Sequence, residues 1–160
     1  MLMELVDKLR VDVNAVNTAA DSWTALHYAV NEGKLKCVEF LLLRGAHVNA
    51  RAGGARTPLH VACSRQNKWM ARTLLQHGAQ PNLQDARGNT ALHLIAQSNN
   101  RDLLLHFLQA AKRGSVDKTL LNTQGKSPAD CTMNRDIRRV LQPTGLPSRL
   151  PEAGARPRLG

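Results

Sequence analysis

The sequence predicts an all-α solenoid built by stacking similar helix-turn-helix units, and three observations carry that prediction. A short block recurs as Thr24-Ala25-Leu26-His27, Thr57-Pro58-Leu59-His60 and Thr90-Ala91-Leu92-His93, its threonines 33 residues apart both times. A second marker keeps the same interval: Leu41-Leu42, Gly45-Ala46 and Asn49 return as Leu74-Leu75, Gly78-Ala79 and Asn82. Aromatic residues make up only 3% of the 160-residue chain, so the core must be built from Leu, Val and Ala, which suits close-packed helices. A fixed period of this size marks units that cannot bury their apolar sides alone and must pile onto one another.

Each element follows from its residues. The hydroxyls of Thr24, Thr57 and Thr90 can cap a first helix by accepting a backbone N–H. Pro58 sits at the first helical position, where a missing N–H costs little. Leu26, Leu59 and Leu92 point inward, while Ala29 and Ala62 let helices approach closely. The Leu-Leu pairs, with Val38, Ala71 and Leu104, give a second helix its apolar stripe. Gly45, Gly78 and Gly114 follow its last turn, where a left-handed residue closes the C-terminus. Asn49 and Asn82 then lead into a short extended segment and turn.

These residues resemble the ankyrin repeat, whose signature is T-P-L-H-x-A near the start of a 33-residue unit, over roughly residues 5 to 142. The resemblance implies an ankyrin-repeat stack of helix-turn-helix units whose short β-hairpin loops project sideways and line a concave binding surface. The units divide as a half-repeat at 1–17, repeats at about 18–50, 51–83 and 84–120, and a capping repeat at 121–142. Departures from the pattern carry information. Ile95 stands where Ala29 and Ala62 stood, so the third unit must open or pack differently. The step from Thr90 to Ser127 is 37 residues, which places four extra around Gln109–Lys118 in a longer second helix or a wider loop. Asp130 replaces the histidine in the fourth unit.

Leu5–Val13 reads as the second helix of a repeat whose first half is absent, with two more residues between Asn14 and Thr24 than between Asn49 and Thr57. The expectation is a segment or short form of a longer repeat protein, or a monomer whose flank Met1, Leu2 and Met3 seal. From Pro143 to Gly160, prolines and glycines interrupt a segment poor in apolar residues, which reads as a disordered, mildly basic tail.

The formal net charge of +10 favours acidic proteins or anionic surfaces and says nothing of fold. The longest apolar run, Phe40–Leu43, is far too short to span a bilayer, and the N-terminus lacks the basic-then-apolar pattern of a secretory signal. Three widely spaced cysteines without a C-x-x-C argue for reduced thiols in the cytosol or nucleus.

No motif ties a nucleophile to a base, cradles a phosphate or sets out metal ligands, so neither an enzyme nor a cofactor or metal is expected. His27, His60 and His93 lie one unit apart, about 8–10 Å for helices in contact, too far to share a metal ion. They read as imidazoles hydrogen-bonded to backbone. Gly53-Gly54 reads as a turn needing positive φ, and Cys37 and Cys63 as small core residues. Trp69 falls where the preceding unit has Lys36, but Lys68 at the usual leucine position implies a rotation that buries it. Asn49 resembles, by its context in Val48-Asn49-Ala50, hairpin asparagines that ankyrin proteins offer to hydroxylases; read from the residues alone it is a turn asparagine.

The resemblance also supplies contact positions: the hairpin tip, the residue before the threonine, and the last two residues of the first helix. These are Asp21, Trp23, Asn31 and Glu32 in the first unit (with Ala20), and Arg56, Ser64 and Arg65 in the second (with Gly53 and Gly54). The third gives Arg87, Asn89, Gln97 and Ser98 (with Ala86), and the last Lys126 and Arg135 (with Thr123, Gln124 and Asn134). After the first unit the set is basic, so the expected partner is a protein with an acidic segment, bound by a scaffold, adaptor or inhibitor. The alternative is an anionic polymer, nucleic acid or a phospholipid surface, although no aromatic stacking platform or base-reading motif is present.

Overall fold

The computed structural model describes residues 12–18 and 21–143. Among these residues seven α-helices appear in pairs. The first pair is α1 (Ala25–Asn31) and α2 (Leu35–Leu43), the second α3 (Pro58–Ser64) and α4 (Lys68–Gln76), and the third α5 (Ala91–Ser98) and α6 (Arg101–Ala110). The fourth unit pairs a 3-10 turn, Pro128–Cys131, with α7 (Arg135–Leu141). The expected helix at Leu5–Val13, the seal by Met1–Met3, Ala20 and the tail beyond Pro143 lie wholly or mostly outside the described residues.

The first helices pack in one row, α1 on α3, α3 on α5 and α5 on the Pro128–Cys131 turn; α4, α6 and α7 form the second row. One continuous core runs between the rows. Leu26, Leu59 and Leu92 are buried in it, together with Val38, Ala71, Leu74, Leu104, Phe107 and Ile137.

Capping sets where each helix begins. Thr24, Thr57 and Thr90 adopt extended backbone before α1, α3 and α5, and the histidine three residues later completes a capping box. The second helices use asparagine: the side chains of Asn67, Asn100 and Asn134 accept N–H bonds from Met70, Leu103 and Ile137 at 3.1, 3.0 and 3.3 Å. Gly45, Gly78 and Gly114 take positive φ after the second helices.

The fourth unit is the shortest because its Pro128–Cys131 segment makes a single turn. α5 packs on that turn, and Ile95 on α5 is fully buried. The four extra residues divide: α6 is 10 residues long against nine in α4, and the remainder widen the loop that follows. The hairpin loops are reduced to single bridges, Val16 with Thr24 and Ala52 with Arg56. Each loop is closed by one backbone bond: Asn17 N–H to Trp23 C=O, Ala52 to Arg56, Asp85 to Asn89 and Asn122 to Lys126, all 2.9–3.0 Å. The first closure spans six positions and the others four, so the two extra residues between Asn14 and Thr24 enlarge that tip.

Two expectations about apolar residues need correction. Cys37 is exposed, not a core residue; among the described residues α2 is the first of the second helices, with no such helix on its outer side. Trp69 is 55% exposed, not buried. The rotation inferred from Lys68 is absent: Met70, Ala71, Leu74 and Leu75 form the buried face of α4, while Lys68 reaches across to Asp102 of the next unit at 2.5 Å.

Candidate functional site

Three sets of polar bonds hold the units together and fix the groove. In the first, each buried histidine bridges two units. His60 Nδ1 accepts the Thr57 N–H at 3.2 Å and its hydroxyl at 2.8 Å, so the proton resides on Nε2, which donates to the Asn89 carbonyl at 2.9 Å. His27 does the same between Thr24 and Arg56 at 3.1 Å, and His93 between Thr90 and Lys126 at 3.0 Å. Burial pushes all three below the usual histidine value, the accepting carbonyls opposing the shift only in part. Asp130 takes the histidine position in the last unit, where its carboxylate accepts the Ser127 N–H at 3.0 Å and hydroxyl at 2.6 Å. These bonds from Ser127 hold the carboxyl below its ordinary range. An aspartate can complete the cap but has no ring N–H to send to a following unit.

The second set is a row of asparagine clamps. Asn49 donates to Gly78 C=O at 3.3 Å and accepts the Gln80 N–H at 2.8 Å; Asn14 holds Gly45 and His47, and Asn82 holds Ser115 and Asp117, in the same manner. Asn49 is thus a clamp between units. A hydroxylase would have to open both bonds to reach it.

In the third set the hairpin tips bond to one another. Gly53 N–H meets the Asp21 carbonyl, Ala86 N–H the Gly54 carbonyl at 2.8 Å, and Thr123 N–H the Arg87 carbonyl at 3.0 Å. The tips come so close that a Cβ on Gly53 would lie 2.9 Å from Asp21, and one on Gly88 2.8 Å from the Thr123 nitrogen. Gly54 supplies the positive φ expected of that pair.

Between the tips and the first helices lies an open cleft of about 740 Å3. Arg56, Ser64, Arg87, Asn89 and Gln97, chosen from the sequence, line it together with Gly54, Ala86, Thr123 and Gln124. Three lining residues were missed: Asp85, Leu94 and Asn122. Leu94 is the half-buried apolar floor. Asp85 turns its carboxylate to the N–H groups of Arg87 and Asn89 at 2.9 and 2.8 Å, which fixes it within its own tip. An aspartate four residues before Asn89, repeated by Asn122 before Lys126, was the available signal; its turn-forming role needed the fold.

The other chosen residues fall on the rim or outside it. Arg65 donates from Nε to Asn31 at 2.8 Å, and Asn31 in turn to Glu32 at 3.0 Å, a chain along the helical edge. Trp23 is half-buried against Tyr28, ring centroids 5.1 Å apart, and against His27, and Asp21 and Lys126 are exposed. Three assignments need correction. Asn89 is only 6% exposed and its amide oxygen is taken by Asn122 Nδ2 at 3.0 Å, so it shapes the wall and offers little surface. The Ser98 hydroxyl is spent on the Ile95 carbonyl at 2.8 Å. Arg135 begins α7 and does not end a first helix, because the 3-10 turn moves that position away from the groove.

The family model for ankyrin repeats (3 copies) matches residues 1–85 and 51–119. The chain belongs to the ankyrin-repeat family. Among curated proteins none matches it. Ankyrin repeats are typically non-enzymatic modules of protein–protein interaction, and the stacked ankyrin units here place the cleft on the side where the hairpin tips meet the first helices. Among the described residues no three His, Cys, Asp or Glu side chains gather as a metal site, and no helix is long and apolar enough to cross a membrane.

Proposed function

We propose that this ankyrin stack is a scaffold, adaptor or inhibitor that grips an acidic segment of a partner protein in the cleft between Arg56 and Arg87. The observation that carries the reading is convergence: arginines from two successive tips flank an apolar floor at Leu94, with the Ser64 and Gln97 side chains as hydrogen-bonding rim. Arg56 and Arg87 outnumber Asp85 among the lining residues, so the cleft is net positive and steers carboxylates. Binding is favoured over catalysis because both ring nitrogens of His27, His60 and His93 are engaged, which leaves none of the three free to act as a base.

The test is capture of a partner from cell extract by the chain and by its Arg56→Ala/Arg87→Ala variant; Arg65 lies outside the cleft and is left unchanged. At about 1 kcal/mol for each partly exposed pair, the double change should weaken capture by roughly 30-fold. Undiminished capture would refute the groove assignment. The net charge of +10 is the observation behind an anionic-polymer reading; a gel-shift titration across salt separates the two, since phosphate binding weakens steeply with ionic strength. The three free cysteines support residence in the cytosol or nucleus, to be checked with a fluorescent fusion. Sedimentation would show whether the chain is monomeric.

A further inference from the structure

One cluster takes no part in the cleft. Trp69, at the second position of α4, leaves half its surface to solvent, yet its ring is held. His106 of α6 meets it edge-on with centroids 6.0 Å apart, and Lys68 Nζ lies 5.6 Å over its face. Lys68 is tied to the Asp102 carboxylate at 2.5 Å, and His106 Nδ1 bonds to the Asp102 backbone carbonyl at 2.9 Å. Two helices thus fix a large aromatic in one orientation. Stacking does not demand an aromatic here, since the same position carries Lys36 in the preceding unit and Asp102 in the next.

Beside the ring is a hollow of about 360 Å3 between the α3–α4 and α5–α6 connections, which shares no lining residue with the cleft. Arg65 and Lys68 line it, and the exposed Arg72 stands one turn beyond Trp69 on α4. Asp102 is the one acid in its lining and already holds Lys68. The surroundings are therefore cationic, with Leu103 as an apolar end wall.

We propose that Trp69 is the centre of a second protein-docking surface, taking a partner segment in which a large apolar side chain is flanked by carboxylates. The apolar side chain seats on the indole and in the hollow, and the carboxylates meet Arg65 and Arg72. The ring contacts with His106 and Lys68 restrict the indole before binding, which lowers the cost of ordering it, and an aromatic beside arginines is the composition in which binding energy concentrates.

The test follows the two tryptophan indole N–H signals of the 15N-labelled chain, assigned with Trp69→Phe, during titration with an acetylated Glu-Asp-Leu-Phe-Asp-Glu peptide. The Trp69 signal should move saturably below millimolar peptide while that of Trp23 stays. Affinity, read by isothermal titration calorimetry, should fall at least tenfold in Trp69→Ala and severalfold in Arg72→Glu. It should be unchanged in Arg56→Ala/Arg87→Ala, so that failure of the cleft reading and of this one are told apart. A motionless Trp69 signal up to millimolar peptide overturns the proposal. So does equal binding of a peptide with Ser-Ser in place of Leu-Phe, which would mean charge alone, or a stronger response to anionic phospholipid vesicles than to the peptide.

Discussion

Replacing His60 by leucine keeps roughly the side-chain volume and removes both its cap bonds to Thr57 and its bridge to the Asn89 carbonyl. The Thr57 N–H, buried and without another acceptor among the described bonds, is orphaned, which costs about 1–3 kcal/mol. The Asn89 carbonyl keeps the Asp85 N–H at 2.9 Å but loses the imidazole, a further loss of about 0.5–1.5 kcal/mol. Added apolar burial returns about 1 kcal/mol, which leaves a net penalty of about 0.5–3.5 kcal/mol at pH 7.5. The penalty should depend on pH with a definite sign. His60 is lowered from 6.5 by burial, so as pH falls below 6.5 the unfolded chain takes up the proton first. The stability its neutral form provides is whole above that pH and is lost on acidification, by at most about 1.4 kcal/mol per pH unit. Wild type loses this contribution and the leucine variant has none to lose, so the gap between them should narrow at pH 5.5. Urea denaturation of both chains at pH 7.5, 6.5 and 5.5 measures it, at constant m. A penalty under 0.5 kcal/mol, or one that is flat or grows on acidification, would refute the bridge as described.

Gly88→Ala combines positive φ with a Cβ 2.8 Å from the Thr123 nitrogen and should cost more than 2 kcal/mol, whereas Gly125→Ala, also at positive φ but in open space, should cost about 1 kcal/mol; melting temperatures compare them. Asn82→Ala removes bonds to Ser115 and Asp117, both 2.8 Å, and should cost about 1–2 kcal/mol with faster hydrogen exchange at the Asp117 amide. Asp130→Ala should cost about 1 kcal/mol at pH 7 as a lost cap, read by chemical denaturation. Because the Asp130 carboxyl is lowered from 3.8, that cost should persist through pH 4 and vanish only in stronger acid.

Much of the site was legible because a repeat maps one unit's geometry onto the next. The tip and first-helix positions of the second and third units, Arg56, Ser64, Arg87 and Gln97, do meet in one cleft. The failures sit where the repeat is imperfect. Arg135 was transferred by counting from Ser127, but Pro128–Cys131 closes after one turn, and the count then lands on a different helix. Asn89 had the right position and the wrong role, since its amide oxygen takes the Asn122 amide. Trp69 was misjudged because exposure on a second helix depends on what its neighbours hold, and Cys37 because among the described residues no second helix covers the outer side of its own.

The sequence by itself determined the period, the order of helices and the caps, because the capping contacts lie within three residues and their block recurs at a 33-residue interval. Only the tertiary structure decided which side chains remain available for a partner. Asp85, Asn89 and Ser98 are consumed by local bonds, Leu94 becomes a floor, and Trp69 is held outward by residues from the neighbouring unit. Availability is what remains of a side chain after its neighbours have taken their bonds, and those neighbours come together only when the units stack.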